Sequence, residues 1–255
     1  MQRPIEFLPS ALTALIVGAM LWHGPIVQPA NYHAFADHSV FLGCPHSADV
    51  FSNLGFALVG LIGWLALRPQ RAHIGAAWCG YRLFLLGLTL TALGSAYYHL
   101  APDNARLVWD RLPIAWACAG LLAAVRAETG QSRQPQAEAA ILALLAALSV
   151  AWWHFTDRHG QGDLRPYLLV QLLPLLLIPL WQGLYPTPSA DRWCFALAIA
   201  LYVAAKIAEL NDHEILHALQ WTSGHTLKHL LATAAAAVLT LRLWHRTRRT
   251  ARPFT

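Results

Sequence analysis

The chain has 255 residues, of which 56% are hydrophobic and only 12% are charged, and its mean hydropathy is +0.41. Because an ordinary soluble domain carries roughly 25% charged residues, this composition excludes that class and indicates lipid as the main solvent. A net charge of +5 would raise the question of nucleic acid in a soluble protein. In a membrane protein the basic residues report on topology instead, and no nucleic-acid partner is expected.

Eight apolar stretches follow one another along the chain without a long linker. Each approaches the ~20 residues that an α-helix needs to cross the ~30 Å hydrocarbon core of a bilayer. We therefore predict an all-α polytopic membrane bundle with eight transmembrane helices in one domain, 1–255. The stretches are 8–27, 49–67, 80–100, 107–125, 137–155, 166–184, 192–209 and 223–244.

The first stretch has two interpretations. Arg3 precedes the apolar run, as in a secretory signal peptide, but no small-x-small cleavage site follows between Trp22 and Pro25. We predict that region 1–30 is an additional amino-terminal helix, and removal as a signal peptide stays open as the alternative.

Basic residues are distributed unevenly between the two sides of the membrane. With the amino terminus inside, twelve of the 18 basic residues fall in inner segments and four in outer segments, while Lys206 and Lys228 lie within spans. Cytoplasmic segments of membrane proteins are enriched in arginine and lysine. Both termini are therefore predicted to be cytoplasmic.

Two polar residues near the end of the third stretch share one helix face. Ser95 and His99 are four residues apart, so their side chains point at the same neighbour. Ionisable side chains within a bilayer cost at least ~2.5 kcal/mol unless they are paired or line a cavity. For this pair alone, a serine bonded to its own helix and a histidine at the interface are the alternative.

Asp110 lies at the start of the fourth stretch, after a turn predicted at 102–104. It is therefore expected at the same membrane depth as His99. An ion pair with Arg106 or Arg111, or stabilisation by the helix macrodipole, is the alternative explanation for this carboxylate.

The eighth stretch opens with two histidines in a metal-binding spacing. His225 and His229 are at i and i+4, so both imidazoles lie on one helix face. The same spacing serves the helical HExxH zinc sites, although Thr226 stands here in place of the glutamate. Ordinary core or interface histidines are the alternative.

The predicted topology brings these three polar groups to one side of the membrane. Three histidines with one open coordination position are the arrangement of a hydrolytic zinc site, in which the metal lowers the pKa of bound water to about 7. We predict that His99, His225 and His229 bind zinc. A carboxylate can take the proton of that water and a hydroxyl can donate to the oxyanion, roles that suit Asp110 and Ser95.

In these residues the chain resembles the alkaline ceramidase family, within the CREST superfamily of seven-helix membrane proteins. The shared pattern is Ser-x3-His, an aspartate eleven residues later and His-x3-His in the last helix, and region 49–245 matches the seven-helix layout. Segments 49–56 (DVFSNLGF) and 109–113 (WDRLP) look like bacterial members.

The resemblance implies a zinc-dependent amidase in a bacterial inner membrane, with its site toward the outer face. The substrate would be a ceramide-like membrane lipid, cleaved at its N-acyl bond to a long-chain base and a fatty acid. Zinc would be held by the three histidines, with Ser95 and Asp110 assisting catalysis.

The chain departs from the family pattern in two places. The additional span 1–30 makes eight helices rather than seven. The animal enzymes also carry an acidic calcium loop before the first core helix. Here the corresponding stretch has as its only candidate ligands Asp37, His38, His46 and Asp49. The acidic pattern is not reproduced, which argues against calcium.

Further polar residues are candidates for supporting the zinc ligands. Lys206 and Glu209 are three residues apart and are expected to form an ion pair, which is more typical of packing than of chemistry. Asp212 lies in a predicted loop, 211–214, and could offer a carboxylate to a ligand histidine, as metal-bound imidazoles usually need. A solvated polar loop is the alternative. Lys228 is expected on a different helix face from the two histidines, where it snorkels or meets a carboxylate.

One other function stays open, and a second is disfavoured by its ligand geometry. A receptor-like or lipid-binding protein of the same superfamily would hold a structural zinc, which needs no open coordination position. A bis-histidine haem protein would need ligands on opposite faces of the ring, which His225 and His229 on one helix cannot provide for one iron. Chain length of the lipid, preference for amide or ester, and oligomeric state do not follow from the sequence.

Overall fold

The computed structural model describes residues 7–250, with only the backbone of residues 249 and 250. The described chain is all-α apart from one two-stranded hairpin, in which β1 (Val40–Phe41) pairs antiparallel with β2 (Cys44–Pro45). Two 3-10 turns flank the fourth helix. The helices are α1 (Leu8–His23), α2 (Ser47–Ser52), α3 (Leu54–Leu67), α4 (Arg71–Ile74), α5 (Trp78–Leu100), α6 (Asn104–Glu128), α7 (Pro135–Arg158), α8 (Arg165–Leu184), α9 (Ser189–Leu210), α10 (Asp212–Leu219) and α11 (Gly224–Thr250).

Six helical stretches among residues 7–250 are long and apolar enough to cross a membrane. The first of them, Ser47–Leu100, is a run of consecutive helices with a turn at Gly75, whose φ of +64° is a conformation that favours glycine. The other five correspond to α6, α7, α8, α9 and α11. The 16 residues of α1 extend only about 24 Å, which is shorter than the ~30 Å hydrocarbon core of a bilayer. The protein therefore has the character of a polytopic helical membrane protein, and the count of eight crossings stays a prediction.

The predicted stretch 49–67 is interrupted between α2 and α3. At this break the Ser52 hydroxyl and the Asn53 amide both donate to the main-chain oxygen of Asp49, at 2.9 and 2.8 Å. Short polar side chains that bond to nearby backbone compete with regular helix hydrogen bonds. The predicted stretch 49–67 is therefore helical on both sides of Asn53, with a short break that its hydropathy does not show.

The predicted loop at 211–214 is also wrong, because Asp212 opens helix α10. Asp212 and Glu214 both lie in the first turn of this helix, where negative charge is favoured by the macrodipole. The polar composition of the segment therefore reflects a helix start rather than a solvated loop.

The described chain divides into two compact units. The first comprises residues 7–29, 76–84 and 115–188. In this unit α8 packs against both α1 and α7. Gly80 and Gly120 allow α5 and α6 to approach closely, since a Cβ at either position would overlap backbone atoms of the other helix.

A buried carboxylate organises the loop between α7 and α8 in this first unit. Asp163 accepts hydrogen bonds from the Arg165 guanidinium at 2.9 Å, from Nε1 of Trp152 at 3.1 Å and from the main-chain N–H of Ile26 at 3.4 Å. Burial by itself would raise the pKa of Asp163, but these hydrogen bonds outweigh it and lower the pKa to about 2.

The second unit comprises residues 30–75, 85–114 and 189–250. In it α11 packs along α9 and also contacts α2, α3 and α10. Near the carboxyl-terminal end of α11, Arg242 donates to Asp191 of α9 at 2.5 Å. At the other end, Gly224 starts α11 where a Cβ would overlap the main-chain oxygen of Ala208. The two helices are thus joined by an ion pair at one end and approach closely at the other.

Candidate metal centre

Three buried histidines converge in the second unit. His99 lies in the last turn of α5, while His225 and His229 lie in the first two turns of α11, and none is more than 5% exposed. Their candidate ligand atoms all lie within 4.8 Å of one another. Within residues 7–250, this is the one group of three or more His, Cys, Asp or Glu residues that could hold a metal ion. The histidines predicted from the sequence are therefore brought together.

Two of the three histidines already have the spacing of ligands on a tetrahedrally coordinated ion. The Nε2 atoms of His99 and His225 are 3.2 Å apart. Zinc–nitrogen bonds of 2.0–2.1 Å in a tetrahedral arrangement would place two ligand nitrogens about 3.3 Å apart. Imidazole is a good ligand for zinc, copper, iron and nickel alike, so the donor set fits zinc without selecting it.

A hydrogen-bond chain determines where His229 carries its proton. The Ser52 hydroxyl lies 2.9 Å from the main-chain oxygen of Asp49 and 2.8 Å from Nδ1 of His229. A carbonyl oxygen can only accept, so the serine donates to Asp49 and accepts from the Nδ1–H of His229. The lone pair on Nε2 of His229 is then available to a metal.

Asp49 lies beside His99 and is fully buried. Its Oδ1 accepts from the hydroxyls of Thr226 at 2.6 Å and Ser223 at 3.4 Å. Its Oδ2 is 3.9 Å from Nδ1 of His99. Sequence patterns alone single out Asp49 only as a weak calcium candidate and do not single out Ser52. The signal that could have found both is their three-residue spacing, which places them on one face of a helix.

Ser95 and Asp110 are adjacent in the structure. They are 2% and 8% exposed, and Asp110 accepts a hydrogen bond from Ser95. Gly94 makes this contact possible, because a Cβ there would overlap the main-chain oxygen of Trp109 on α6. Arg106, one alternative partner for Asp110, pairs instead with Asp103 at 3.7 Å. The serine and the aspartate are therefore in position to act together.

Lys228 meets a carboxylate, as predicted, but it does not lie on a different helix face from both ligand histidines, so that part of the prediction was wrong. Its Nζ lies 2.8 Å from Nε2 of His225 and 3.1 Å from a carboxylate oxygen of Glu209. The cause is the three-residue spacing from His225, which puts both side chains on one face. Glu209 also forms the predicted ion pair with Lys206. Two lysines therefore share one carboxylate beside the cluster.

Asp212 contacts the main chain of a ligand histidine rather than its ring. Its Oδ1 accepts from the N–H of His225 at 2.7 Å and its Oδ2 from the N–H of Ala36 at 2.8 Å. Next to Ala36, the Phe35 ring packs edge-on against His99 and His225, with centroids 4.7 and 4.4 Å apart. Phe35 lies in an irregular segment, where no periodic pattern could have identified it.

The polar side chains of the stretch before α2 are used to build its turns. Asp37 accepts from the N–H groups of Ser39 at 2.9 Å and Asp49 at 3.0 Å. Burial acts to raise the pKa of Asp37, but hydrogen bonds, including that from Ser39, outweigh it and lower the pKa. His46 contacts the main-chain oxygen of Asp37 through Nδ1 at 2.5 Å. His38 packs its ring against His46.

Comparison with known proteins assigns the chain to no family. No protein-family model matches it, and no curated protein matches it significantly. The likeness to alkaline ceramidases therefore rests on the motif residues named above.

Proposed function

We propose that this protein is a zinc-dependent integral-membrane hydrolase that cleaves the N-acyl amide bond of ceramide-like lipids. The observation that carries the proposal is a buried three-histidine cluster in the same unit as a hydrogen-bonded serine–aspartate pair. A closed structural metal site has no need of a carboxylate base. The order and spacing of Ser95, His99, Asp110, His225 and His229, which resemble those of alkaline ceramidases, add support.

The three histidines would hold the ion through their Nε2 atoms. For His229 the bond between Nδ1 and Ser52 leaves Nε2 free, and for His99 and His225 the Nε2 atoms already face each other. When bound, zinc supplies a Lewis acid for the amide carbonyl and lowers the pKa of water.

Asp110 and Ser95 would move the protons. Asp110 accepts a proton from water as the water oxygen bonds to the carbonyl carbon. A protonated Asp110 can donate a hydrogen bond to Ser95 Oγ without giving up its proton, so the serine O–H is free to donate a hydrogen bond to the oxyanion. The proton on Asp110 then passes to the leaving nitrogen as the C–N bond breaks. Water is thereby added across one amide bond, giving a long-chain base and a fatty acid.

A lipid substrate agrees with the surroundings of the site. His99, Asp110, His225 and His229 all belong to helical stretches that are long and apolar enough to span a membrane. An N-acyl lipid would therefore reach the site from within the bilayer. The distribution of arginine and lysine supports cytoplasmic termini and a site toward the outer face. The resemblance to bacterial members of the ceramidase family supports a bacterial inner membrane.

Zinc content and lipid hydrolysis test the proposal together. Wild-type protein purified in detergent should contain zinc and release fatty acid from an N-acyl sphingoid base, and His229→Ala should lose both. The matched control is His217→Ala, which removes an exposed histidine of α10 outside the cluster. Wild-type protein without zinc after metal-replete expression would contradict the proposal. Zinc without hydrolysis of any N-acyl lipid would favour the receptor-like alternative.

A further inference from the structure

Two buried polar atoms face each other beside the histidine cluster, and neither has a hydrogen-bond partner. They are Nδ1 of His99 and Oδ2 of Asp49, 3.9 Å apart on side chains that are 1% and 0% exposed. Nearly all buried polar atoms in folded proteins are hydrogen-bonded. Two such exceptions opposite each other therefore require a physical explanation.

The protonation of a metal-bound imidazole explains the two unpaired atoms. A neutral imidazole has a single N–H, so a metal on Nε2 requires the proton to be on Nδ1. His99 would then present a donor on the side where Asp49 presents an acceptor. A movement of about 1 Å by either side chain would bring the two atoms to hydrogen-bond distance.

We infer that Asp49 is a positioning residue of the metal centre, which orients the His99 ring and selects its Nδ1–H form. Metal-ligating histidines commonly donate their second ring N–H to a carboxylate in this way. The inference rests on the proposed metal centre, but it does not depend on the reaction that the centre performs.

The helix that carries two of the ligands also holds Asp49 in place. Thr226 lies between His225 and His229 on α11, and its hydroxyl donates to Oδ1 of Asp49 at 2.6 Å. This bond leaves Oδ2 directed at His99. The six-residue helix α2 thus contributes Asp49 for one ligand histidine and Ser52 for another.

Asp49→Asn is the direct test. Asparagine keeps the size of the side chain and an oxygen for Thr226, but it turns an N–H donor toward Nδ1 of His99. That donor favours the ring form with its proton on Nε2, which cannot bind a metal through Nε2. We expect zinc affinity, measured by competition with a chromophoric chelator, to fall about 10- to 100-fold. Asp163→Asn is the matched control, because this buried carboxylate accepts from Arg165, Trp152 and Ile26 and lies outside the cluster.

Thermal unfolding in excess chelator separates metal binding from folding. Asp49→Asn should unfold at the wild-type temperature under those conditions and still bind zinc more weakly. If Asp49→Asn does not fold, zinc affinity is measured on Thr226→Val instead. Valine keeps the shape of threonine but removes the hydroxyl that holds Asp49. A variant that folds and binds zinc within about threefold of wild type would overturn the inference and leave the metal centre intact. Absence of zinc from the wild type would overturn both.

Discussion

The Nζ atom of Lys228 lies 2.8 Å from Nε2 of His225, the same nitrogen that faces Nε2 of His99 across 3.2 Å. An ammonium group can only donate, so it engages the lone pair that a metal ion would use. A metal ion bound to the cluster would therefore compete with the lysine for this nitrogen. Glu209, 3.1 Å from the same Nζ, gives the lysine a second acceptor when His225 binds a metal.

Replacing Lys228 by methionine should strengthen zinc binding. Loss of one competing charge-assisted hydrogen bond is worth about 1.5 kcal/mol, or roughly tenfold in affinity. Lys206→Met is the matched control, because Lys206 shares Glu209 but is 48% exposed, and it should leave the affinity unchanged. Titration with zinc against a competing chelator measures both variants. Weaker zinc binding in Lys228→Met would mean that the lysine supports the centre rather than competing with the metal.

Asp110→Asn should retain zinc and lose turnover. The amide can still accept from Ser95 but cannot take a proton from water, and loss of a general base typically lowers a rate by about 10²- to 10⁴-fold. Fatty-acid release and zinc content are measured on the same preparations. Asp103→Asn alters a carboxylate that is 53% exposed in the turn before α6 and should keep wild-type values of both. Activity retained at normal zinc content would remove Asp110 from the mechanism.

Gly94→Ala should disturb the Ser95–Asp110 pair without changing either residue. The new Cβ would overlap the main-chain oxygen of Trp109, so α5 and α6 must move apart. Overpacking of this kind typically costs about 1–3 kcal/mol, and we expect a lower unfolding temperature together with reduced hydrolysis. Gly18→Ala in α1 meets open space and should change neither. Wild-type stability and turnover in Gly94→Ala would show that this close approach does not set the geometry of the pair.

The contribution of Asp163 to stability should depend on pH. Burial opposes its ionisation, but hydrogen bonds from Arg165 and others hold its pKa at about 2, below the ordinary value of 3.8. A carboxylate with a lowered folded-state pKa stabilises the fold above its unfolded-state pKa and loses that contribution as pH falls through the folded-state value. The stability difference between wild type and Asp163→Asn should therefore be full at about pH 5 and shrink between about pH 4 and pH 2. Denaturant unfolding at each pH measures it, and a constant difference would exclude a role for this charge.

The long helices could be predicted because a bilayer imposes a minimum apolar length. The stretch 137–155 corresponds to α7 at Pro135–Arg158, and 166–184 corresponds to α8 at Arg165–Leu184. The histidine cluster could also be predicted, since i, i+4 spacing fixes the shared face of His225 and His229. Both predictions use only the length of an apolar stretch and the spacing of residues along a helix, and a single sequence provides both.

The parts that could not be predicted depend on individual side chains. The break at Asn53 follows from hydrogen bonds to the main-chain oxygen of Asp49, which compete with a helix pattern that looks continuous in hydropathy. Phe35 reaches two histidines from an irregular segment. The contact of Lys228 with His225 depends on the i, i+3 relation, which the i, i+4 pattern of the two histidines does not reveal.

His99 lies 126 residues before His225 in the chain, and the two meet through their ring nitrogens. An ion held by the cluster would therefore act as a cross-link, comparable to a disulfide between distant cysteines. In the chain-entropy description, a cross-link that closes a loop of ~100 residues stabilises a fold by about 4–5 kcal/mol. The metal would thus link α5 to α11. Removing it would lower the free energy of unfolding as well as remove the proposed metal site.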